Sequence, residues 1–319
     1  MSWSLSETHE LLEMRTAYGA TLESLIHEGK PIVACDADLA ASSGAGFIWE
    51  KYPEHAVDFG ICEANMVAAA AAMSRVGMRA FVHSFAPFVS RRVFDQVYIS
   101  AGFARQDLHI YASDPGFWSL YNGATHTTFE DIALMRTVPG AYVVAPADAV
   151  SFSWVLRWYA EQGGLVYDRA PRKPLPRLYC DGSEFEPGRG QLLCEGSDVA
   201  LIALGSCVFD ALAAAQALSE RGISASVVDL LFVKPADERL IMDMVTNHRA
   251  VVTVENHGGP GGVGELVGGL MARSGSMSRL GCVCVGDRYG EVGTPDYLKK
   301  VLGISVEDIV VRAEEALYA

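Results

Sequence analysis

Short runs of β-branched and other apolar residues alternate with longer Ala-rich runs of helical spacing from one end of the chain to the other. This alternation is typical of parallel α/β construction, in which each buried strand is followed by a helix that packs on the sheet. The first part of the chain is predicted to contain strands at Pro31–Cys35, Val57–Phe59, Arg79–His83, Leu108–Ala112, Ala141–Val144 and Leu165–Tyr167. We expect helices in the intervals between them.

The stretch Asp181–Gly190 is rich in turn-forming and charged residues and has no sustained apolar period. We therefore expect two domains, at residues 1–183 and 191–319. The second is predicted to contain strands at Val199–Ala203, Ser224–Asp229, Ala250–Glu255 and Gly281–Val285, and helices near Val208–Glu220, Asp237–Thr246, Val263–Ala272 and Val306–Leu317. The fold class expected is α/β, with two consecutive open, mainly parallel sheets.

Composition narrows the class of protein. Half of the 319 residues are apolar and a fifth are charged, as in folded globular proteins. A net charge of -14 disfavours a dedicated nucleic-acid binder, because phosphate contacts need clustered Lys and Arg. We find no membrane-spanning apolar stretch and no signal-like start, so we expect a cytoplasmic protein without membrane contact. The seven Cys form no CxxC pair, which indicates neither a disulfide framework nor a zinc site.

Two local patterns suggest candidate chemistry. A strand ends near Gly60, and Glu63 then begins a helix of small apolar residues. On position alone, Glu63 is expected only to complement the positive end of the helix dipole. Phe85 and Phe88 follow the next strand and would share one face of a helical turn, where such a pair is more often core than ligand contact.

His126 closes the sequence Asn122-Gly-Ala-Thr-His and precedes a predicted helix. A lone histidine in such a position is usually a polar cap or a surface group. It nevertheless follows a strand-and-loop unit, where open α/β sheets bind their ligands.

Taken together, the ordered motifs Gly-Ile-x-Glu-x-Asn-Met, Ser-Phe-x-x-Phe, Asn-Gly-x-Thr-His and Pro-Gly-x-x-Val-x-x-Pro-Ala-Asp resemble the pyrimidine-binding domain of the transketolase family. Val228–Pro235 and Val252–His257 look like the family's C-terminal domain. The family's first domain, which binds the diphosphate and Mg²⁺ of thiamine diphosphate through a Gly-Asp-Gly motif, has no counterpart here. The chain resembles the C-terminal subunit of a split, two-subunit transketolase.

This resemblance implies transfer of a two-carbon ketol unit from a ketose phosphate to an aldose, with thiamine diphosphate as the electron sink. It assigns Glu63 to the ring nitrogen of the cofactor's aminopyrimidine and Phe85 and Phe88 to the wall against which that ring packs. His126 becomes a catalytic hydrogen-bond donor or proton shuttle beside the substrate.

The resemblance also assigns substrate binding to Arg15, Arg169, Asn122 and a hydroxyl at Ser43 or its neighbour Ser42. An arginine fork can hold a phosphate through two hydrogen bonds.

Two departures from the family pattern bear on the substrate. Asn122 replaces the Asp usual four residues before the histidine, and Asp114 replaces a phosphate-contacting His. Exchanging a cation for a carboxylate weakens affinity for a sugar phosphate, so we expect an unusual donor or acceptor.

By the same resemblance, a separate N-terminal-type subunit supplies the diphosphate and Mg²⁺ ligands, the assembly is α2β2, and the isolated chain is inactive. Three alternatives remain open. One is the β subunit of a 2-oxo acid dehydrogenase E1 component, and another is a non-catalytic scaffold subunit. The third is an NAD-binding oxidoreductase, suggested by the GxGxxG pattern at Gly259–Gly264.

Overall fold

The structure, a computed structural model, describes residues 2–318, so that Met1 and Ala319 at the ends of the two expected domains lie outside it. Its internal contacts divide the chain into two compact units. The first contains residues 2–115 and 134–185, and the second contains residues 116–133 and 186–318.

The described residues of the first unit form eight strands. They are β1 (Leu11–Glu13), β2 (Ile32–Asp36), β3 (Ala56–Asp58), β4 (Arg79–Phe85), β5 (Leu108–Ser113), β6 (Tyr142–Val144), β7 (Leu165–Ala170) and β8 (Pro174–Pro176). Six of them lie in the order β6-β7-β5-β4-β2-β3, all parallel, while β1 pairs antiparallel with β8. Every residue of β2, β5 and β7 is buried, as expected for parallel strands covered on both faces.

The helices of this part of the chain are α1 (Met14–His27), α2 (Ala40–Ser43), α3 (Phe47–Lys51), α4 (Glu63–Met73), α5 (Phe94–Gln96), α6 (Asp131–Arg136) and α7 (Ala149–Gln162). A π-helical segment, Val97–Phe103, follows α5. The start of α7 is fixed by a capping box, in which the Asp148 side chain accepts from Ser151 N and the Ser151 side chain accepts from Asp148 N.

The second unit has a five-stranded sheet. Its strands are β9 (Gln191–Cys194), β10 (Val199–Ala203), β11 (Ala225–Asp229), β13 (Ala250–Gly258) and β14 (Arg279–Val285), and the short strand β12 (Phe232–Lys234) of the same unit lies outside this sheet. The sheet order is β14-β13-β10-β11-β9, with β9 antiparallel. Its helices are α8 (Val208–Ser219), α9 (Glu238–Asn247), α10 (Val263–Ser274), α11 (Pro295–Leu302) and α12 (Val306–Tyr318). The predicted fold class is confirmed, although the sequence pattern did not predict β9, β12 or α11.

The segment 116–133, which the sequence analysis included in the first domain, belongs by its contacts to the second unit. Phe117 N donates to Asn256 Oδ1 at 3.1 Å, and Gly258 N donates to Phe129 O at 2.7 Å. Gly116 has a φ of +60°, and a Cβ there would collide with the Asn256 side chain. Only glycine therefore allows this close approach.

Among the described residues, no helix is both long enough and apolar enough to cross a bilayer.

Candidate functional site

Glu63 is the first residue of α4 and is only 3% exposed. The turn before it contains Gly60 at a φ of +64°, and the residue that precedes the helix, Cys62, makes no side-chain capping bond. The Ala-rich sequence that follows favours the helix. The fold thus places a carboxylate at the positive end of a helix dipole and removes most of it from water.

The Glu63 carboxylate forms an ion pair with Arg92. Its Nη1 donates to Glu63 Oε1 at 2.8 Å, whereas Glu63 Oε2 accepts no side-chain or backbone hydrogen bond from the described residues. The Arg92 side chain is 45% exposed. In this nearly buried carboxylate, one oxygen is therefore held by an arginine and the other makes no hydrogen bond within the described part of the chain.

The two phenylalanines contact each other edge to face, with ring centroids 6.1 Å apart and planes at 87°. Phe85 ends strand β4 and Phe88 lies in the turn that follows, so they meet through this turn and not on a helical face. Arg92 lies over Phe88, with its guanidinium carbon 3.9 Å from the ring centroid. Glu63, Arg92, Phe88 and Phe85 therefore form a continuous chain of contacts.

A second arginine, Arg172, lies over the ring of Phe85. The guanidinium carbon of Arg172 lies 4.6 Å from the Phe85 ring centroid. Asp114, which is 1% exposed, holds Arg172: its Oδ1 accepts from Arg172 N at 2.8 Å and its Oδ2 from Arg172 Nε at 2.7 Å. The carboxylate that the sequence analysis marked as a departure from the family pattern is thus neutralised within the same unit.

We expect Asp114→Asn to destabilise the isolated chain by about 2–3 kcal/mol, because it leaves the partly buried Arg172 charge without its counter-ion. Asp114 has a φ of +52°, a conformation that Asn also tolerates, so the substitution changes the charge and not the backbone. Urea unfolding monitored by far-UV circular dichroism measures the difference, and a variant as stable as wild type would contradict the pairing.

The predicted substrate residues of the first unit are engaged locally. Arg15 Nε donates to Glu13 Oε2 at 3.0 Å, which lowers the pKa of the Glu13 carboxyl. The Ser43 hydroxyl is buried, donating to Ala40 O and accepting from Ala45 N. Arg169 is buried on β7, next to β5. Their roles in substrate binding stay predictions.

His126 and Asn122 lie in the second unit, within and before a short 3-10 turn at Ala124–His126. His126 is half-buried, and its Nδ1 lies 2.9 Å from Thr125 Oγ1. Gly123 has a φ of +70° and allows the bend that His126 N closes by donating to Gly123 O. The structure groups Glu63, Phe85 and Phe88, and it places the histidine and the asparagine in the other unit.

A buried polar cluster that sequence reasoning missed joins the carboxyl ends of three adjacent strands. His83 Nδ1 lies 2.9 Å from Asp36 Oδ2, and His83 Nε2 lies 3.1 Å from Ser113 Oγ. Asp36 Oδ1 also accepts from two backbone amides. The signal available in the sequence was a polar residue at the same end of β2, β4 and β5. The hydrogen bonds of this cluster fix strand β4 two residues before Phe85.

A second buried pair lies deeper in the same sheet. His109 Nε2 lies 3.2 Å from Asp168 Oδ2, and both side chains are 0% exposed. Burial lowers the pKa of His109 to about 3 and raises the pKa of Asp168 well above its ordinary value. Both shifts favour the neutral forms of the two groups.

The glycine-rich loop at Gly259–Gly264, which suggested a dinucleotide site, contains a buried side chain of the protein itself. Glu255, fully buried, accepts from Val263 N at 2.8 Å and from Gly264 N at 2.9 Å at the start of α10. A pyrophosphate would need these same amide groups. A Cβ at Gly262 would collide with the Glu255 carboxylate, so the loop's glycines make room for this side chain. The geometry therefore argues against the NAD-binding alternative.

Among the described residues, no group of three or more His, Cys, Asp or Glu side chains is arranged to hold a metal ion.

Comparison with known proteins identifies the family. The transketolase pyrimidine-binding domain model matches residues 10–177, and the transketolase C-terminal domain model matches residues 188–309. The 6-deoxy-6-sulfo-D-fructose transketolase subunit SqwH of Clostridium sp. (strain MSTE9) is 37% identical, over 95% of this chain and 94% of that protein.

Two further matches are consistent with this family assignment. The 1-deoxy-D-xylulose-5-phosphate synthase 1 of Geobacter sulfurreducens (strain ATCC 51573 / DSM 12127 / PCA) is 32% identical over 95% of this chain but only 48% of that protein. A solved structure described as a split gene transketolase, inactive beta4 tetramer, superposes with a TM-score of 0.89 at 36% identity and covers 96% of this chain and 98% of that one. This chain belongs to the transketolase family and matches its split-gene subunits along nearly its whole length.

Proposed function

We propose that this chain is the subunit of a two-subunit, thiamine diphosphate-dependent transketolase that binds the aminopyrimidine end of the cofactor. The observation that supports this most is the nearly buried Glu63 carboxylate, whose Oε1 accepts from Arg92 while its Oε2 makes no hydrogen bond to the described residues. A carboxyl group of this kind next to aromatic side chains suits a flat heterocycle that carries a ring nitrogen.

The residues of the first unit then have distinct tasks. Thiamine diphosphate, when bound, supplies the electron sink for cleaving a ketose carbon–carbon bond. Glu63 shares a proton with the ring nitrogen through Oε2. Phe85 and Phe88 pack against the ring and exclude water from this hydrogen bond, which strengthens it.

The donor, in this proposal, is a ketose with a terminal anion that gives up a two-carbon ketol unit to an aldose. Arg15 and Arg169 bind the anion, with Ser43 contributing a hydroxyl, and His126 and Asn122 contact the reacting end of the sugar. One relative is described as a 6-deoxy-6-sulfo-D-fructose transketolase subunit, so the anion we propose is a phosphate or a sulfonate.

The partner is a separate subunit that carries a Gly-Asp-Gly motif and supplies the diphosphate and Mg²⁺ ligands. We propose a cytoplasmic α2β2 assembly. It is consistent with the relatives described as a transketolase subunit and as a split gene product.

Reconstitution tests this function. We expect no two-carbon transfer from the chain alone, and turnover when it is mixed with a partner carrying the Gly-Asp-Gly domain, thiamine diphosphate and Mg²⁺. The donors to assay are fructose 6-phosphate, xylulose 5-phosphate and 6-deoxy-6-sulfo-D-fructose, with an aldose phosphate as acceptor. Turnover by the chain alone would reject this division of roles between the subunits. Oxidation of pyruvate by an added artificial electron acceptor, without ketol transfer, would favour the 2-oxo acid dehydrogenase alternative.

A further inference from the structure

Arg92 contacts two of the residues that form the proposed cofactor site. Its Nη1 donates to Glu63 Oε1 at 2.8 Å, while its guanidinium carbon lies over Phe88, 3.9 Å from the ring centroid. It belongs to the 3-10 turn Arg91–Val93, which follows Phe88 in sequence. No motif in the sequence singled it out, because the contact joins this turn to the first residue of α4.

The exposure of the two partners is unequal. The Glu63 side chain is 3% exposed, and the Arg92 side chain is 45% exposed. Most exposed ion pairs contribute little, but here one charge is almost removed from water. The orientation of the buried carboxylate therefore depends on the more exposed arginine.

We propose that Arg92 is a positioning residue that fixes the Glu63 carboxylate through Oε1, so that Oε2 is the oxygen that meets the cofactor's ring nitrogen. This inference rests on the proposed function. Arginine suits the task because its planar fork can hydrogen-bond to a carboxylate and stack on an aromatic ring at the same time. Lysine would keep the charge but lacks the planar, forked guanidinium.

The test uses Arg92→Gln and Arg92→Lys in the reconstituted enzyme, with Arg157→Gln as the matched control. Arg157 donates to Glu28 at the same distance of 2.8 Å, and its side chain is 44% exposed, but its partner is exposed as well. We expect Arg92→Gln to lower kcat by about 100-fold, as a misplaced catalytic group does, with the cofactor Kd changed by less than about threefold. Arg92→Lys should recover part of the loss, and Arg157→Gln should match wild type.

A second readout does not depend on turnover. The near-UV circular dichroism of bound thiamine diphosphate reports the electronic state of its aminopyrimidine, and we expect Arg92→Gln to change this signal while the far-UV spectrum is unchanged. An unchanged signal with wild-type kcat would overturn the inference. If Arg92→Gln fails to fold, the same two readouts on Arg92→Lys decide.

A double-mutant cycle with Glu63→Gln isolates the coupling, because residues that act through one another are not additive. We expect Arg92→Gln to cause little further loss in the Glu63→Gln background. A full additional 100-fold loss there would show that Arg92 acts independently and would overturn the inference. If Glu63→Gln is itself fully active, the proposed function fails. If Glu63→Gln is inactive and Arg92→Gln is fully active, only the role of Arg92 fails.

Discussion

Replacing Glu63 by glutamine in the reconstituted enzyme is expected to lower kcat by about a thousandfold while leaving the fold intact. Glutamine keeps the size of the side chain and can still accept from Arg92, but it cannot exchange a proton with the ring nitrogen of the cofactor. General acid–base groups contribute roughly 10²- to 10⁴-fold to enzyme rates, which sets the size of the effect. Steady-state two-carbon transfer at saturating cofactor measures it.

The matched control is Glu265→Gln. Glu265 lies in the first turn of α10, is exposed, and accepts from Gly261 N at 2.7 Å. If Glu63 acted only on its helix dipole, the two substitutions would each cost a few tenths of a kcal/mol in stability and leave turnover unchanged. Equal turnover in the two variants would therefore support that structural interpretation and contradict catalysis by Glu63.

The second large effect concerns stability. Asp168→Asn is expected to stabilise the isolated chain relative to wild type, by an amount that grows with pH. Because burial raises the pKa of Asp168, the folded chain keeps a proton that the unfolded chain releases above about pH 4. The stability that protonated Asp168 contributes to the wild-type chain is thus present at low pH. It is lost, at about 1.4 kcal/mol per pH unit, as the pH rises toward the pKa of Asp168 in the folded chain. Asparagine has no proton to lose and can still donate to His109.

His109 contributes with the opposite sign. Its pKa in the folded chain is about 3, so below about pH 6.5 the unfolded chain binds a proton that the folded chain does not bind. The stability that His109 contributes is therefore lost as the pH falls from 6.5 toward 3. The contribution is common to wild type and Asp168→Asn and cancels in their difference. Urea unfolding at pH 5, 6 and 7 and one protein concentration should show the difference increasing. A constant difference, or a less stable variant, would mean that the buried acid is ionised.

Asp114→Asn provides the internal comparison, since it is the same chemical change at another buried aspartate in the same unit. Asp114 faces a guanidinium, whereas Asp168 faces a neutral imidazole. The two variants should therefore shift stability at pH 7 in opposite directions. Shifts of the same sign would show that the identity of the partner does not decide these contributions.

Much of the fold was predictable because parallel strands buried on both faces leave continuous apolar runs, as at β2 and β5. The short strand β12 was not, because three residues carry too little pattern. The contacts that link the segment 116–133 to the second unit could not be read from the sequence, because they join distant residues; Phe117 and Asn256, for example, are 139 positions apart.

The candidate site was likewise only partly predictable from the sequence. Glu63 was recognisable because a turn glycine, a carboxylate and an Ala-rich helix are adjacent in sequence. Arg92 and Arg172 were missed because their carboxylate partners are distant in sequence: Arg92 is 29 residues from Glu63, and Arg172 is 58 residues from Asp114. Single arginines are also mostly surface charges. Asp114 was noted only as a departure from the family, and its meaning changes once its partner is known.

The most direct test is a structure of the reconstituted complex with thiamine diphosphate and Mg²⁺. We expect Glu63 Oε2 within hydrogen-bond distance, about 2.6–3.2 Å, of the aminopyrimidine nitrogen, with the diphosphate and the metal held by the partner subunit. A Glu63 side chain turned away from the ring, or a diphosphate held by residues of this chain alone, would contradict it.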